Sequence, residues 1–293
     1  MRKTTARGFT LIEMMIALAV GLLVVLSASA LLRNARAVYG ELDDGALIQE
    51  TGRLSLSHLR TMLSQAHHLP WESALQAKAP LSRSAGLRGL DDRSNASSLD
   101  PRNASFDAGS TAGINQSDIL MIGFFGTPNT GHVSSCGSGA LTSAKSDGTT
   151  GTESRRNWVI YYISQKNNAE PELRCRFVNN DSNWGDHAVA PGIESMQILY
   201  GVDSDAVSGA DRWYSASQME AALWKKVRLV RISLLVRGRY LNDHGDKKQS
   251  FDLLGPGPHA VHIGDEKSPK RMRAVFETTV MLRNVVPGDE APT

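Results

Sequence analysis

Residues 9–32 read FTLIEMMIALAVGLLVVLSASALL, 24 residues from Phe9 to Leu32 with a single charge at Glu13. As a helix rising about 1.5 Å per residue, this run is about 36 Å long, enough to cross a hydrocarbon core of about 30 Å. No other run in the sequence is long and apolar enough to span. Arg2, Lys3 and Arg7 precede it. The positive-inside tendency keeps those three in the cytoplasm and places everything after Leu32 beyond the inner membrane, in the periplasm. Glu13 is the residue that needs an explanation. A carboxylate near the centre of a spanning helix costs about 2.5–3.5 kcal/mol, less near an interface, so an intramembrane acid is a functional residue by default. A secretory signal peptide cut after Ala28-Ser29-Ala30, or a plain anchor, accounts for the apolar run but leaves Glu13 unexplained.

Working outward, the composition narrows the class. With 41% hydrophobic and 21% charged residues, the 293-residue chain is too apolar for disorder and too polar for a multi-span membrane protein. Aromatics at 6% and 26 glycines favour turns and short strands. Of 32 basic residues against 30 acidic, three lie in the first eight positions, so the remainder carries 29 against 30 and is near-neutral. That balance argues against bulk attraction to nucleic acid.

The start of the chain, Arg7-Gly8-Phe9-Thr10-Leu11-Ile12-Glu13, has a short basic leader ending in Gly, then an aromatic residue and a Glu four positions on. It resembles the class III signal of type IV pilins and pseudopilins. The resemblance implies cleavage by prepilin peptidase between Gly8 and Phe9, methylation of the new Phe9 amine, and a mature chain of 285 residues. It also implies that Glu13 pairs with the Phe9 amine of a neighbouring subunit, each charge lowering the other's cost in lipid. Gly21 loosens the helix by about 1 kcal/mol. Where major pilins usually carry a proline further along this helix, this chain has Ala30.

After the span, residues 33–69 lack proline, and Val38, Ile48, Leu56, Leu59, Leu63 and Ala66 share one arc of a helical wheel. One helix over 9–69 is expected, closed by Pro70, although Gly40, Gly45 and Gly52 each weaken it. Residues 82–117 and 127–157 are Ser, Gly, Asn and Asp-rich, and read as long loops. Strands are expected at Asp118–Phe125, Trp158–Ile163, Leu173–Val178, Ile193–Tyr200, Val227–Tyr240 and Ala274–Leu282. Helix first and strands after give an α+β fold: a leader (1–8), a long helix (9–69) and a β-rich antiparallel head (70–293).

The stretches Gly192–Asp203, Trp224–Ile232 and Leu282-Arg283-Asn284 are similar to the carboxy-terminal pattern of PilW-type minor pilins. This resemblance implies a non-enzymatic subunit that primes pilus assembly with other minor pilins and the major pilin, near the tip. Prepilin peptidase and the inner-membrane assembly platform are the further partners it implies, and twitching motility, adhesion or DNA uptake the processes served. A minor pseudopilin of type II secretion shares the leader, Glu13 and the helix. A secreted enzyme or adhesin with an ordinary signal peptide is the reading from another class.

Other chemistry is sparse. Cys136 and Cys175 lie beyond the membrane, where a disulfide would stabilise by about 4 kcal/mol; two separate thiols are the alternative. His259-Ala260-Val261-His262 lacks the spacing of a metal site, and Gly255-Pro256-Gly257-Pro258 reads as a turn. Asp203, Asp205 and Asp211 supply hard oxygen ligands for calcium, but their spacing fails the EF-hand pattern and favours a solvated acidic turn. No other cofactor is implied. Lys225, Lys226, Arg228, Arg231, Arg237 and Arg239 form a basic run that DNA would suit, with a solvated strand face as the commoner reading.

Overall fold

The computed structural model describes residues 8–70, 84–93, 96, 99–102, 112–126, 133–137, 141, 156–166, 169–178, 183–205, 209–241, 250–255, 260–264 and 271–284. Positions 1–7 of the expected leader, and parts of both expected loops, lie outside the described residues.

Helix α1 (Leu11–Leu63) runs for 53 residues, about 80 Å, straight through Gly40, Gly45 and Gly52. Gly52 is required by packing, because a Cβ there would lie 2.5 Å from the Phe276 ring. The helix stops at Leu63, short of the expected 69. His67 turns the chain with φ 61°, and residues 67–68 are drawn into the sheet, His67 N–H donating to Gly123 O and Phe125 N–H to His68 O. Asn284, near the other end of the chain, donates to the carbonyls of Ser64, the C-cap, and Ala66, in the turn just beyond it, each at 3.1 Å. The C-cap carbonyl is one of the acceptors a helix end leaves unpaired.

Five strands form an antiparallel meander in sequence order: β1 (Leu87–Leu90), β2 (Ile119–Phe124), β3 (Asn157–Ser164), β4 (Glu172–Val178) and β5 (Trp184–Pro191). A second antiparallel sheet takes β6 (Ile193–Val202), β7 (Arg212–Tyr214), β8 (Val227–Arg237) and β11 (Arg273–Met281) in the order β11-β8-β6-β7. Between β8 and β11 the chain makes a hairpin, β9 (Ser250–Leu253) with β10 (Val261–Gly264). The α+β class read from the order of elements is the one observed.

Ile48, Leu59, Met62 and Leu63 of α1 enter one core with Leu120, Ile122 and Tyr161 from the first sheet and Met196, Ile198, Val230, Ile232 and Leu234 from the second. Two smaller clusters cover the outer faces. Ile119, Met121 and Ile160 lie with Ala96 and Leu99, and Leu235 lies with Leu253 of the hairpin. Covering both faces explains why β2 and β6 are buried throughout, β2 as a continuous apolar run and β6 with Glu194, Ser195 and Gln197 sealed in among apolar residues. It also buries Ser233 and Leu235, on the face of β8 that period-two reading gives to solvent.

The two sheets are stitched by Asp118. Its backbone N–H donates to Met196 O, and its carboxylate accepts from Ile198 N–H at 2.8 Å and Asp92 N–H at 3.1 Å. Burial, reinforced by the neighbouring Asp91, pushes this carboxyl well above the usual carboxylate range.

Candidate functional site: the exposed half of the N-terminal helix

Below Asp44 the helix is almost bare among the described residues, with Asp43 and the Tyr240 side chain in contact at the border. Every residue from Gly8 to Asp43 is exposed except half-buried Ala30 and Gly40, and the exposed set includes Phe9, Leu11, Ile12, Met14, Val24, Val25 and Leu32. In water this surface would be prohibitive at about 25 cal/mol per Å² of apolar area. Lipid, or the helices of neighbouring subunits, must cover it. The most apolar window of α1 has mean hydropathy 2.6, and α1 is the one described helix long and apolar enough to span a membrane. Val38, expected on the packed stripe, is 55% exposed because the head does not reach below Asp44.

At the bottom of this surface Glu13 and Thr10 form a capping box. Thr10 donates to Glu13 Oε2 through its N–H at 2.8 Å and its hydroxyl at 2.9 Å, while Glu13 N–H donates to Thr10 Oγ1 at 3.3 Å. The reciprocal pattern satisfies two amides that a helix start leaves orphaned. It also holds the carboxylate one turn from Phe9, where the sequence places the cleavage point. Phe9 itself is 89% exposed and free of packing, as is the backbone around Gly8.

At the top of the exposed half the helix is latched to the head. Asp44, fully buried on α1, accepts from Arg239 N–H at 2.7 Å and from Tyr240 N–H at 3.2 and 3.1 Å. Gly238 lets the loop come this close, since a Cβ there would meet the Asp44 carboxylate at 2.4 Å. This latch is why the strand expected to run to Tyr240 ends at Arg237: past Gly238, whose N–H still donates to Met272 O, the Arg239 and Tyr240 amides bond to a side chain, not to a ladder. Higher up, His58 shares a 2.8 Å hydrogen bond with Tyr161 Oη, and burial, with help from His187, lowers its pKa.

The remaining expected residues are spread over the head. Cys136 and Cys175 form a disulfide, with Cα atoms 6.4 Å apart, and no described cysteine is free. It ties the segment before β3 to the middle of β4. Asp203, Asp205 and Asp211 come together with ligand oxygens within 4.8 Å of one another. Asp203 pairs with Arg228 at 3.2 Å, and Asp211 accepts from the Ser204 N–H at 2.7 Å and hydroxyl at 2.5 Å. The basic run is partly neutralised, as Arg228 pairs with Asp203, Arg231 with Glu277 and Arg237 with Glu194. His262 lies in β10 against Asp252, whereas His259 and Pro256–Pro258 lie outside the described residues.

Sequence reading missed Asp44 and Asp118. A single acid on a helix face, or at the start of a strand, looks solvated, and only the partner amides, about 195 positions away for Asp44 and about 80 for Asp118, reveal otherwise.

A long helix, bare and apolar over its first half and serving as the spine of an antiparallel β head over its second, defines a type IV pilin-like protein. Residues 3–29, a span that includes Gly8, Phe9 and Glu13, match the model of the prokaryotic N-terminal methylation motif. Residues 160–284, from within β3 to just past β11, match the model of the type IV pilus-assembly protein W. Over these two segments the chain is similar to the PilW-like minor pilins of the type IV pilin family. No curated protein and no solved structure matches it.

Proposed function

We propose that this protein is a minor pilin that primes assembly of a type IV pilus and resides near its tip. The observation that carries the reading is the bare apolar half of α1 ending in the Thr10–Glu13 box, a surface suited to lipid first and to the helices of neighbouring subunits afterwards. In this reading prepilin peptidase cuts between Gly8 and Phe9, the Phe9 amine is methylated, and the head (70–293) stands in the periplasm while residues 9–32 stay in the inner membrane. On leaving the bilayer, Glu13 exchanges its Thr10 partners for the positively charged amino terminus of a neighbouring pilin. The pair is stable in an oily surrounding because neither charge remains alone. Other minor pilins, the major pilin and the assembly platform are the partners, and twitching motility, adhesion or DNA uptake the processes supported. The reading requires no catalytic step and no cofactor.

Glu13→Ala tests it. Leader removal continues, since the cut lies on the far side of Phe9, but the protein fails to enter sheared pili and surface piliation falls. Normal incorporation of Glu13→Ala at wild-type protein levels overturns the pairing. Replacing Gly8 with a bulky residue leaves the precursor mass unchanged; normal processing of that variant overturns the leader assignment.

A further inference from the structure

The four-stranded sheet ends on β11, and the outer edge of this strand is open. In an antiparallel ladder alternate residues turn their backbone groups toward the partner strand. Gly238 N–H donates to Met272 O and Leu282 N–H to Arg228 O, and β11 pairs with β8 without a shift from Arg273 to Met281. Even-numbered residues of β11 therefore bond to β8, and odd-numbered ones point their N–H and C=O groups away from it. Among the described residues, no hydrogen bond reaches the outward backbone groups of Val275, Glu277, Thr279 or Met281.

The other edges carry the devices that discourage strand addition. β1 has four residues and β7 three, and the β4–β5 pairing has a register irregularity with Pro191 at its end. Nine-residue β11 has no proline, no lysine and no bulge, and Met281 is 69% exposed at its end. An edge that long and regular is a template for another strand, and its one exposed charge, Glu277, is paired with Arg231 of the neighbouring strand. Beside it lies a groove of about 790 Å³ between Gln49, Arg53 and Ser57 of α1 and Phe276, Glu277 and Thr278 of β11.

We infer that the β11 edge receives an extended segment of another pilus subunit, which adds antiparallel to it as a fifth strand of this sheet. The inference rests on the minor-pilin reading. The groove begins at Ala46, just above the exposed stretch of α1 that ends at Asp43, so a subunit packed along that stretch already lies alongside it. A second copy of this chain does not fit. Asp44 lies against Gly238 at one end, Gly52 against Phe276 midway, and Ser64 against Asn284 at the other, so β11 runs parallel to α1. Copies anchored in one membrane hold their α1 helices in the same direction, and their β11 edges cannot then meet antiparallel. The incoming strand is one directed toward the membrane. Its backbone supplies the affinity, and side chains alternating between the α1 wall and the β9 side supply the selectivity.

The test places a photo-crosslinking residue at Glu277 in the full-length protein, in cells making the pilus. Adducts are identified by mass spectrometry and leader removal is scored in the same samples. An adduct with another pilus subunit is expected. Thr279→Pro removes one outward donor and sets a ring against the incoming strand without touching the ladder to β8, and should lower that adduct by about tenfold or more. Thr279→Ala keeps the donor and should leave it unchanged, and both variants should retain wild-type level and melting temperature. The absence of adducts with any pilus subunit, their persistence in Thr279→Pro, or adducts only with a second copy of this chain overturns the inference. Precursor that is never processed refutes the pilin reading itself; processed protein without adducts refutes only the strand addition.

Discussion

Removing the Asp44 carboxylate should uncouple the head from its helix. The buried side chain is the acceptor for two amides, Arg239 and Tyr240, at 2.7–3.2 Å, and hydrogen bonds to a charged acceptor contribute about 1.5–3 kcal/mol each. Arg239 and Tyr240 are themselves exposed, so water can solvate their amides once the carboxylate is gone. We therefore expect Asp44→Ala to cost about 2–4 kcal/mol, near the lower end of two such bonds. For a domain of this size each kcal/mol moves the midpoint by about 2–4 °C, giving a drop of about 5–15 °C. Asp44→Asn retains Oδ1, which accepts from both amides, and loses Oδ2, so its cost should be about half that of Ala. Thermal melts of the detergent-solubilised full-length protein measure the midpoints, and hydrogen exchange at Arg239 and Tyr240 localises the effect. A melting point for Asp44→Ala within about 2 °C of wild type, or an Asn variant less stable than Ala, would refute the latch.

Two further outcomes follow from the head. The folded-state pKa of Asp118 is raised, chiefly by burial and then by Asp91. Its contribution is therefore fully present below the unfolded-state value of about 4 and is lost as pH rises through the folded value. Denaturant midpoints taken from pH 4.5 to pH 8 should show a component of decline in the wild type that Asp118→Asn lacks, and parallel pH profiles would contradict the raised pKa. Cys136→Ser opens the loop closed by the 39-residue separation of the disulfide. It should cost about 4 kcal/mol in the chain-entropy model, read as a lower urea midpoint that reduction of the wild type reproduces; insensitivity of the wild type to reductant would count against it.

The amino-acid order alone determined the parts of this protein governed by local rules. Twenty-four nearly uncharged residues dictate an apolar helix, Glu13 marks the one costly group in it, and six β-prone runs after it dictate an antiparallel head. The leader and the distal strands were legible because their spacing is contiguous. What the sequence could not decide depended on which distant residues became neighbours. β1, β5, β7 and the β9–β10 hairpin are too short or too polar to register as periodic runs, and they exist because a longer strand offers them a ladder. The helix ended at Leu63, not at Pro70, because Gly123 and Phe125 recruited His67 and His68 into a sheet. Asp44 and Asp118 are ordinary acids until the fold brings backbone amides to them, and the open edge of β11 exists only once the strand order is set. Local periodicity fixes which segments are helix or strand; free energy from contacts remote in sequence fixes where they stop, which side chains are sealed inside, and which edge is left unpaired.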